Sequence, residues 1–142
     1  MSVRILIAEG HPVMRDTLRG LIAKEPGLEV VAETGDGLRA FELARELSPD
    51  IVVLDTHLSD VGGVEAARRI KTESPGVKII TFSMHSDRRF VEGMLKAGAS
   101  GYLLKDTALE ELIRAIRIVM ADGVYLGSGI AAIEGFVAPE AG

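Results

Sequence analysis

The feature that most constrains the fold of this chain is an alternation between short apolar runs and longer stretches of helical period. The runs are rich in β-branched residues, and in the stretches between them apolar residues recur every three or four positions. Strands that alternate with helices pack as a parallel sheet covered by helices on both faces, with right-handed crossovers. We therefore predict an α/β fold with a doubly wound, five-stranded parallel sheet of the (βα)5 type. The five predicted strands are residues 3–8, 28–33, 51–54, 77–82 and 101–104.

Residues that typically begin and end helices mark the boundaries between these elements. Pro12 suits a first helical turn, and Thr107 with Glu110 three residues later forms a capping-box pattern at the start of the last helix. Three predicted helix exits carry a proline, at Pro26, Pro49 and Pro75. In a sheet built from such units, ligands bind beyond the carboxyl ends of the strands. The residues that directly follow each strand are therefore the candidates for function.

Composition excludes several classes of function. The chain has 16 basic and 21 acidic residues, a net charge of −5, and its basic residues are spread over separate helices, which argues against nucleic-acid binding by this segment. It has no cysteine, which excludes thiolate chemistry and disulfides and is compatible with a reducing cytosol. No apolar run approaches the roughly 20 residues of a membrane span, and no signal pattern opens the chain. We expect a cytoplasmic protein without membrane contact.

Side chains able to handle a phosphoryl group follow four of the predicted strands. Glu9 follows the first strand, Asp55 the third, Ser83 the fourth and Lys105 the fifth. A carboxylate that attacks a phosphoryl group needs a cation to gather the negative oxygens, a hydroxyl to hold one of them and a fixed positive charge for another. Around Asp55, the other three residues offer those capabilities.

On these residues the chain resembles the receiver domains of two-component response regulators, from about residue 5 to residue 125. The resemblance implies a flavodoxin-like, CheY-like fold and a signalling module, not an enzyme, with slow self-dephosphorylation at most. It implies that Asp55 is the phosphoacceptor, that Ser83 and Lys105 hold the phosphoryl oxygens, and that Tyr102 is the aromatic switch residue. It further implies a Mg²⁺ ion near Glu9, Asp55 and the backbone carbonyl of His57, and a sensor histidine kinase as the phosphoryl donor.

Within that family, three segments resemble the NarL/FixJ, or LuxR-type, transcription regulators. These segments are His11-Pro12-Val13, Ser83-Met84-His85 and residues 101–106. Those regulators act as homodimers and append a helix-turn-helix DNA-binding domain, a module of about 60 residues. We expect a receiver domain at residues 1–125 and a linker or tail at residues 126–142, with DNA binding only through a C-terminal domain that this chain lacks. A truncated chain and a stand-alone receiver both remain open.

Two departures from the family pattern concern the metal site and the loop after Asp55. Gly10 stands where the family usually has a second acidic residue, so we expect weak Mg²⁺ binding. His57 and Ser59 follow Asp55, and the family commonly has proline in place of Ser59. Two hypotheses follow. The first is a phosphorylation switch that controls dimerisation and an output such as transcription. The second is a phosphorylation-independent dimerisation or docking module, in which Gly10 has disabled metal-assisted phosphoryl transfer.

Two other patterns suggest different functions. The segment from Gly35 to Ala40 matches the loose dinucleotide fingerprint G-x-G-x-x-A, but it follows the second strand of a chain too short for a two-half dinucleotide fold. A glycine turn into a helix is the favoured interpretation. His11, His57 and His85 all follow strands on one rim, where imidazoles favour zinc, copper or nickel, yet their spacing is not that of a typical site. Solvated loop histidines are the favoured interpretation.

Overall fold

A computed structural model describes residues 2–131 of the chain. Its sheet has six strands, and every pairing between neighbouring strands is parallel. The strands are β1 Val3–Ala8, β2 Leu28–Thr34, β3 Ile51–Asp55, β4 Lys78–Ser83, β5 Gly101–Leu104 and β6 Tyr125–Leu126. Their order in the sheet is β2-β1-β3-β4-β5-β6. The strand order reverses at β1, between β2 and β3, which puts a crevice at the carboxyl ends of β1 and β3.

Helices cover both faces of the sheet. They are α1 Pro12–Ala23, α2 Gly37–Leu47, α3 Gly63–Glu73, α4 Arg88–Lys96, α5 Ala108–Met120 and the short α6 Ser128–Ala131. One core layer lies between the sheet and α2, α3 and α4, and the second lies between the sheet and α1 and α5. In β1, Leu6 and Ala8 face the first layer, while Ile5 and Ile7 face the second. Because both of its faces are buried, the central strand β3 is continuously apolar up to Asp55, whereas the edge strand β2 carries Glu29 and Glu33.

The predicted fold class is confirmed, with one additional strand. Each of the five predicted strands lies within one residue of its observed bounds. The sixth strand, Tyr125–Leu126, pairs with Gly101 and Tyr102 of β5 and is too short to produce a periodic pattern. The predicted linker or tail begins inside this strand, continues through α6, and then covers residues 132–142, which lie outside the described residues.

The helix starts were predicted correctly, but one capping mechanism was wrong. Pro12 is the first residue of α1, as predicted. Thr107 is the N-cap of α5, yet its side chain makes no capping hydrogen bond to the backbone. The Thr107 hydroxyl instead donates to Glu111 Oε2 at 3.1 Å, so the capping box with Glu110 does not form. Spacing shows that a reciprocal cap is possible, whereas the rotamer decides whether it exists.

Candidate functional site

A lysine and two carboxylates meet at the carboxyl ends of β1, β3 and β5. Lys105 Nζ lies 3.1 Å from Glu9 Oε1 and 3.2 Å from Asp55 Oδ1. Glu9 is 1% exposed and Asp55 is fully buried, so both carboxylates are removed from water. The lysine follows β5, two strands away from β3 in the sheet, and its long side chain reaches back across the rim. The parallel sheet thereby brings together residues that are up to 96 positions apart in sequence.

Asp55 is held in its ionised form by the groups that surround it. Burial by itself would raise the pKa of Asp55. The neighbouring Glu9 carboxyl group, the backbone N–H of His57, the charge of Lys105 and the backbone N–H of Gly10 together keep that pKa below its ordinary value. The His57 N–H donates to Oδ1 at 3.0 Å, and the Gly10 N–H donates to Oδ2 at 3.2 Å. Asp55 is therefore available as a carboxylate.

The pKa of Glu9, in contrast, is raised above its ordinary value, because fewer groups stabilise its ionised form. Burial raises the pKa of Glu9, and the neighbouring Asp55 raises it further. The His11 N–H donates to Glu9 Oε2 at 3.0 Å and offsets only part of this effect. When one proton enters the pair, Glu9 takes it and Asp55 stays charged.

Gly10 lies against the loop that follows β3. A Cβ atom at Gly10 would stand 2.8 Å from the carbonyl oxygen of His57 and 3.6 Å from Asp55 Oδ2. A contact of 2.8 Å between a Cβ and a backbone oxygen requires the backbone to shift. The His57 carbonyl thus occupies space that a side chain at position 10 would need, a fact that the sequence did not reveal.

Ser83 and Tyr102 form hydrogen bonds next to the charged cluster. The Ser83 hydroxyl accepts from the Thr56 hydroxyl at 3.1 Å and from the His85 N–H at 2.9 Å. The Tyr102 hydroxyl donates to the backbone carbonyl of His85 at 2.8 Å, and its side chain is fully buried. Burial raises the pKa of Tyr102 to about 12. Both residues are thereby tied to the backbone of His85, in the loop between β4 and α4.

The three histidines lie in loops, where His11 and His57 are exposed and His85 is half-buried, and each of them also contacts another side chain. His11 Nδ1 lies 3.2 Å from Glu9 Oε2, although its side chain is 66% exposed. His57 Nε2 and His85 Nε2 are 2.8 Å apart, and the ring of His85 stacks on that of Phe90. The pair joins the loop after β3 to the loop after β4.

An open cavity of about 560 Å³ lies beside the charged cluster. Its polar lining includes Lys105, Ser83, His11 and Asp106, and its apolar lining includes Met14 and Met84. Asp55 does not line this cavity. A phosphoryl donor that enters the cavity would therefore meet Lys105 and Ser83 before it meets the Asp55 carboxylate.

Two backbone donors of the dinucleotide-like segment already have a carboxylate partner. The N–H groups of Gly37 and Leu38, at the start of α2, donate to the Asp60 carboxylate at 2.7 Å and 3.0 Å. A pyrophosphate would need those donors, which are already satisfied. The segment is a turn capped by Asp60, in agreement with the favoured interpretation.

Sequence reasoning predicted a set of site residues that the structure brings close together, and it did not predict three interactions of other residues. Glu9, Asp55 and Lys105 are in contact, and Ser83 is adjacent but bonds elsewhere in this conformation. The interactions that were missed are those of Thr56 with Ser83, of His85 with Tyr102, and of Asp60 with the start of α2. Thr56 directly follows Asp55 and could have been found as a second hydroxyl at the same strand end.

Comparison with known proteins places the chain in a family. Residues 5–117 match the response regulator receiver domain. The transcriptional regulatory protein DegU of Brevibacillus brevis is 39% identical over 125 residues, which are 88% of this chain and 53% of that protein. The response regulator GacA of Pseudomonas aeruginosa is 33% identical over 129 residues, which are 91% of this chain and 60% of that protein. The chain thus spans between half and two thirds of the length of these relatives.

Solved structures agree with the family match. A two-component response regulator of the LuxR family from Aurantimonas sp. is 39% identical, with a TM-score of 0.88 over 92% of this chain and 94% of that chain. The response regulator domain of Thermotoga maritima CheB is 26% identical, with a TM-score of 0.80 over 85% of this chain and 98% of that chain. Between residues 2 and 131, no helix is long and apolar enough to cross a membrane. The chain belongs to the response regulator receiver domain family and is the receiver domain of a two-component response regulator.

Proposed function

We propose that Asp55 accepts a phosphoryl group from a sensor histidine kinase. The observation that carries this proposal is the contact of 3.2 Å between Lys105 Nζ and Asp55 Oδ1, at a carboxylate whose pKa is held low despite its burial. An ionised carboxylate is a nucleophile, and a neighbouring ammonium lowers the repulsion that an incoming phosphoryl group meets.

The transfer exchanges one bond to phosphorus for another. A carboxylate oxygen of Asp55 attacks the phosphorus of a phosphohistidine, the P–N bond breaks, and an acyl phosphate forms. The released imidazole nitrogen takes a proton from solvent. The Lys105 ammonium then exchanges its contact with the Asp55 carboxylate for one with a phosphoryl oxygen. The Ser83 hydroxyl gives up its hydrogen bonds with Thr56 and His85 and donates to another phosphoryl oxygen. Slow hydrolysis of the acyl phosphate by water would reset the domain.

A Mg²⁺ ion fits the donor set of this site. Glu9 and Asp55 would hold it together with the backbone carbonyl of His57, which are oxygen ligands of the kind that Mg²⁺ prefers. Glu9 Oε1 is buried and receives no hydrogen bond from any described residue, and its charged neighbour is the Lys105 ammonium at 3.1 Å, so a cation that displaces the lysine would meet a carboxylate oxygen there. When bound, the ion would neutralise charge on the phosphoryl oxygens. Because Gly10 supplies no carboxylate, we expect the affinity to be low.

Ser83 and Tyr102 would carry the signal from the phosphoryl group to the surface. Both hydrogen-bond to the backbone of His85, so a Ser83 hydroxyl that turns toward the phosphoryl group gives up its bond from the His85 N–H. The loop between β4 and α4 is then free to change position, and Tyr102 can follow it. The added charge, about −1.5 to −2 for phosphorylated side chains in general, biases an equilibrium between two such arrangements.

The output of the whole protein is also a proposal. The DegU relative is named a transcriptional regulatory protein, and the chain matches only part of its length. We propose that residues 1–125 act as a receiver in the cytoplasm, that phosphorylation alters homodimerisation, and that DNA is bound through a C-terminal helix-turn-helix domain outside residues 1–142. Residues 126–142 would form a linker or tail.

Intact-mass spectrometry after incubation with acetyl phosphate and excess Mg²⁺ tests the proposal. We expect one phosphoryl adduct on the wild-type chain and none on Asp55→Asn, which keeps the size of the side chain and removes its charge. An adduct that persists in the variant would identify a different acceptor. A folded wild-type chain that never forms an adduct, even from a phosphorylated kinase, would favour the phosphorylation-independent docking module.

A further inference from the structure

The ammonium of Lys105 stands where three potential metal ligands converge. Lys105 Nζ lies 3.1 Å from Glu9 Oε1, 3.2 Å from Asp55 Oδ1 and 3.4 Å from His11 Nδ1. One ligating atom from each of these three residues lies within 4.8 Å of the other two. The lysine thus places a single positive charge at the centre of a set made of two carboxylates and one imidazole.

The spacing and freedom of these ligands suit a divalent ion. Ligands that are neighbours around an ion at 2.1 Å lie about 3 Å apart, and His11 Nδ1 lies 3.2 Å from Glu9 Oε2. The His11 side chain is 66% exposed, so it can adjust its torsions without disturbing the core. Glu9 is 1% exposed, and its Oε1 atom receives no hydrogen bond from the described residues despite the nearby ammonium. An incoming cation would replace the Lys105 ammonium, 3.1 Å away, as the partner of this oxygen.

We propose that Glu9, Asp55 and His11 Nδ1 form a mixed oxygen and nitrogen site that binds a first-row transition-metal dication more tightly than Mg²⁺. The proposal rests on the proposed function, since the same acidic cluster would hold the cation for phosphoryl transfer. Imidazole nitrogen is a favourable ligand for ions such as Co²⁺, Ni²⁺ and Zn²⁺, whereas Mg²⁺ selects oxygen. His11 thereby supplies the ligand that Gly10 lacks.

Binding of the ion moves Lys105. The ammonium and a dication cannot share the centre of the cluster, because like charges that close repel strongly. The lysine therefore swings toward the cavity that it already lines with Ser83, where an entering phosphoryl oxygen would meet it. Metal binding and a free lysine are linked in this arrangement.

The other two histidines are the competing site for such an ion. His57 and His85 have their Nε2 atoms 2.8 Å apart and their ring centroids 5.0 Å apart. The difference between these two distances is about twice the distance from a ring nitrogen to its ring centroid, so the two nitrogens lie nearly on the line that joins the centroids. That geometry suits a shared proton in an N–H···N hydrogen bond. Both rings would have to turn before their lone pairs could converge on one ion.

Titration calorimetry with Co²⁺ and with Mg²⁺ separates these alternatives. The chain is titrated as wild type, as His11→Ala and as His85→Ala, which is a matched removal of a histidine from the competing pair. We expect wild type to bind Co²⁺ at least about tenfold more tightly than Mg²⁺. His11→Ala should lose about tenfold or more in Co²⁺ affinity, a typical effect of damage to a metal site, while its Mg²⁺ affinity changes less than about twofold. His85→Ala should leave both affinities unchanged.

Paramagnetic Co²⁺ adds a readout that does not depend on affinity. In an NMR spectrum of wild type, the ring protons of His11 should shift and broaden more than those of His57 and His85. Unchanged Co²⁺ affinity in His11→Ala overturns the proposal, and so does a loss confined to His85→Ala. The acetyl phosphate experiment distinguishes this inference from the proposed function. If an Asp55 adduct forms but His11→Ala does not change the Co²⁺ affinity, only this inference is refuted. If His11→Ala weakens Co²⁺ binding but no adduct forms, only the proposed function is refuted.

Discussion

Replacing Gly10 with aspartate tests whether the missing carboxylate limits Mg²⁺ binding. A Cβ at this position would stand 3.6 Å from Asp55 Oδ2, so the cluster would hold three carboxylates in place of two, and its formal charge together with Lys105 would change from −1 to −2. Two unit charges about 4 Å apart interact by about 4 kcal/mol at an effective dielectric near 20. Dehydration of the carboxylate offsets most of this energy. If about a third remains, Gly10→Asp binds Mg²⁺ about tenfold more tightly than wild type.

The same substitution meets a steric obstacle, which a second variant isolates. The Cβ would lie 2.8 Å from the His57 carbonyl oxygen, a backbone atom that has to retreat by about 0.5 Å to reach ordinary contact distance. That oxygen is also a proposed ligand. Gly10→Ala brings the obstacle without the charge, so we expect it to bind Mg²⁺ more weakly than wild type. The ratio of affinities between Gly10→Asp and Gly10→Ala then measures the carboxylate alone.

Mg²⁺ calorimetry on the three proteins decides the question, and thermal unfolding without metal provides a second measurement. Without metal, Gly10→Asp should melt at a lower temperature than Gly10→Ala, because three carboxylates then share one lysine. Saturating Mg²⁺ should narrow that difference. Equal Mg²⁺ affinities of Gly10→Asp and Gly10→Ala would refute the reasoning, since the added charge would then have no effect on the ion.

Three further predictions concern single side chains. Lys105→Ala should keep the fold but lower the thermal stability, because two buried carboxylates lose their counter-ion. It should also reduce the yield of the acetyl phosphate adduct. An adduct yield equal to that of wild type would show that the lysine has no part in the mechanism. Thr81→Val should raise the free energy of unfolding by about 1 kcal/mol, because the Thr81 hydroxyl is buried without a partner among the described residues. The control Thr56→Val should lower it, because that hydroxyl bonds to Ser83. In a spectrophotometric titration the Tyr102 phenol should ionise near pH 12. The contribution of Tyr102 to the free energy of unfolding should be complete below pH 10 and should disappear as the pH rises toward 12. An absorbance step at pH 10 that is absent in Tyr102→Phe would contradict the burial argument.

The sequence was sufficient for the fold because the signals were redundant. Strands buried on both faces are continuous apolar runs, and proline or glycine punctuates the helix exits, so each strand is bounded from both sides. The convergence of Glu9, Asp55 and Lys105 followed from topology alone, since parallel strands deliver their carboxyl ends to one edge. Tyr125 and Leu126 escaped detection because two residues are too few for a period.

Features that depend on loop paths and rotamers could not be derived from spacing. The contact between His57 and His85 needs two loops to approach each other across 28 residues of sequence. The crowding of Gly10 by the His57 carbonyl likewise depends on the path of the loop after β3. Thr107 shows the effect of a rotamer, because its hydroxyl donates to Glu111 although the sequence pattern predicts a capping box with Glu110. Such choices differ by about 1 kcal/mol, which is too little for a pattern of residue types to reveal.

The two-residue strand β6 has a consequence for self-association. Its flanking backbone occupies the outer side of β5: the Tyr125 N–H donates to the Ser100 carbonyl at 2.9 Å, and the Gly127 N–H donates to the Tyr102 carbonyl at 2.8 Å. An uncovered strand edge is a template on which a second chain can add a strand, and this is a common route to aggregation. β5 has only four residues, so a very short partner is enough to cover it. Among the described residues, the segment that looks like the start of a tail therefore replaces the four-residue edge of β5 with an edge of two residues, which offers less backbone for a neighbouring molecule to pair with.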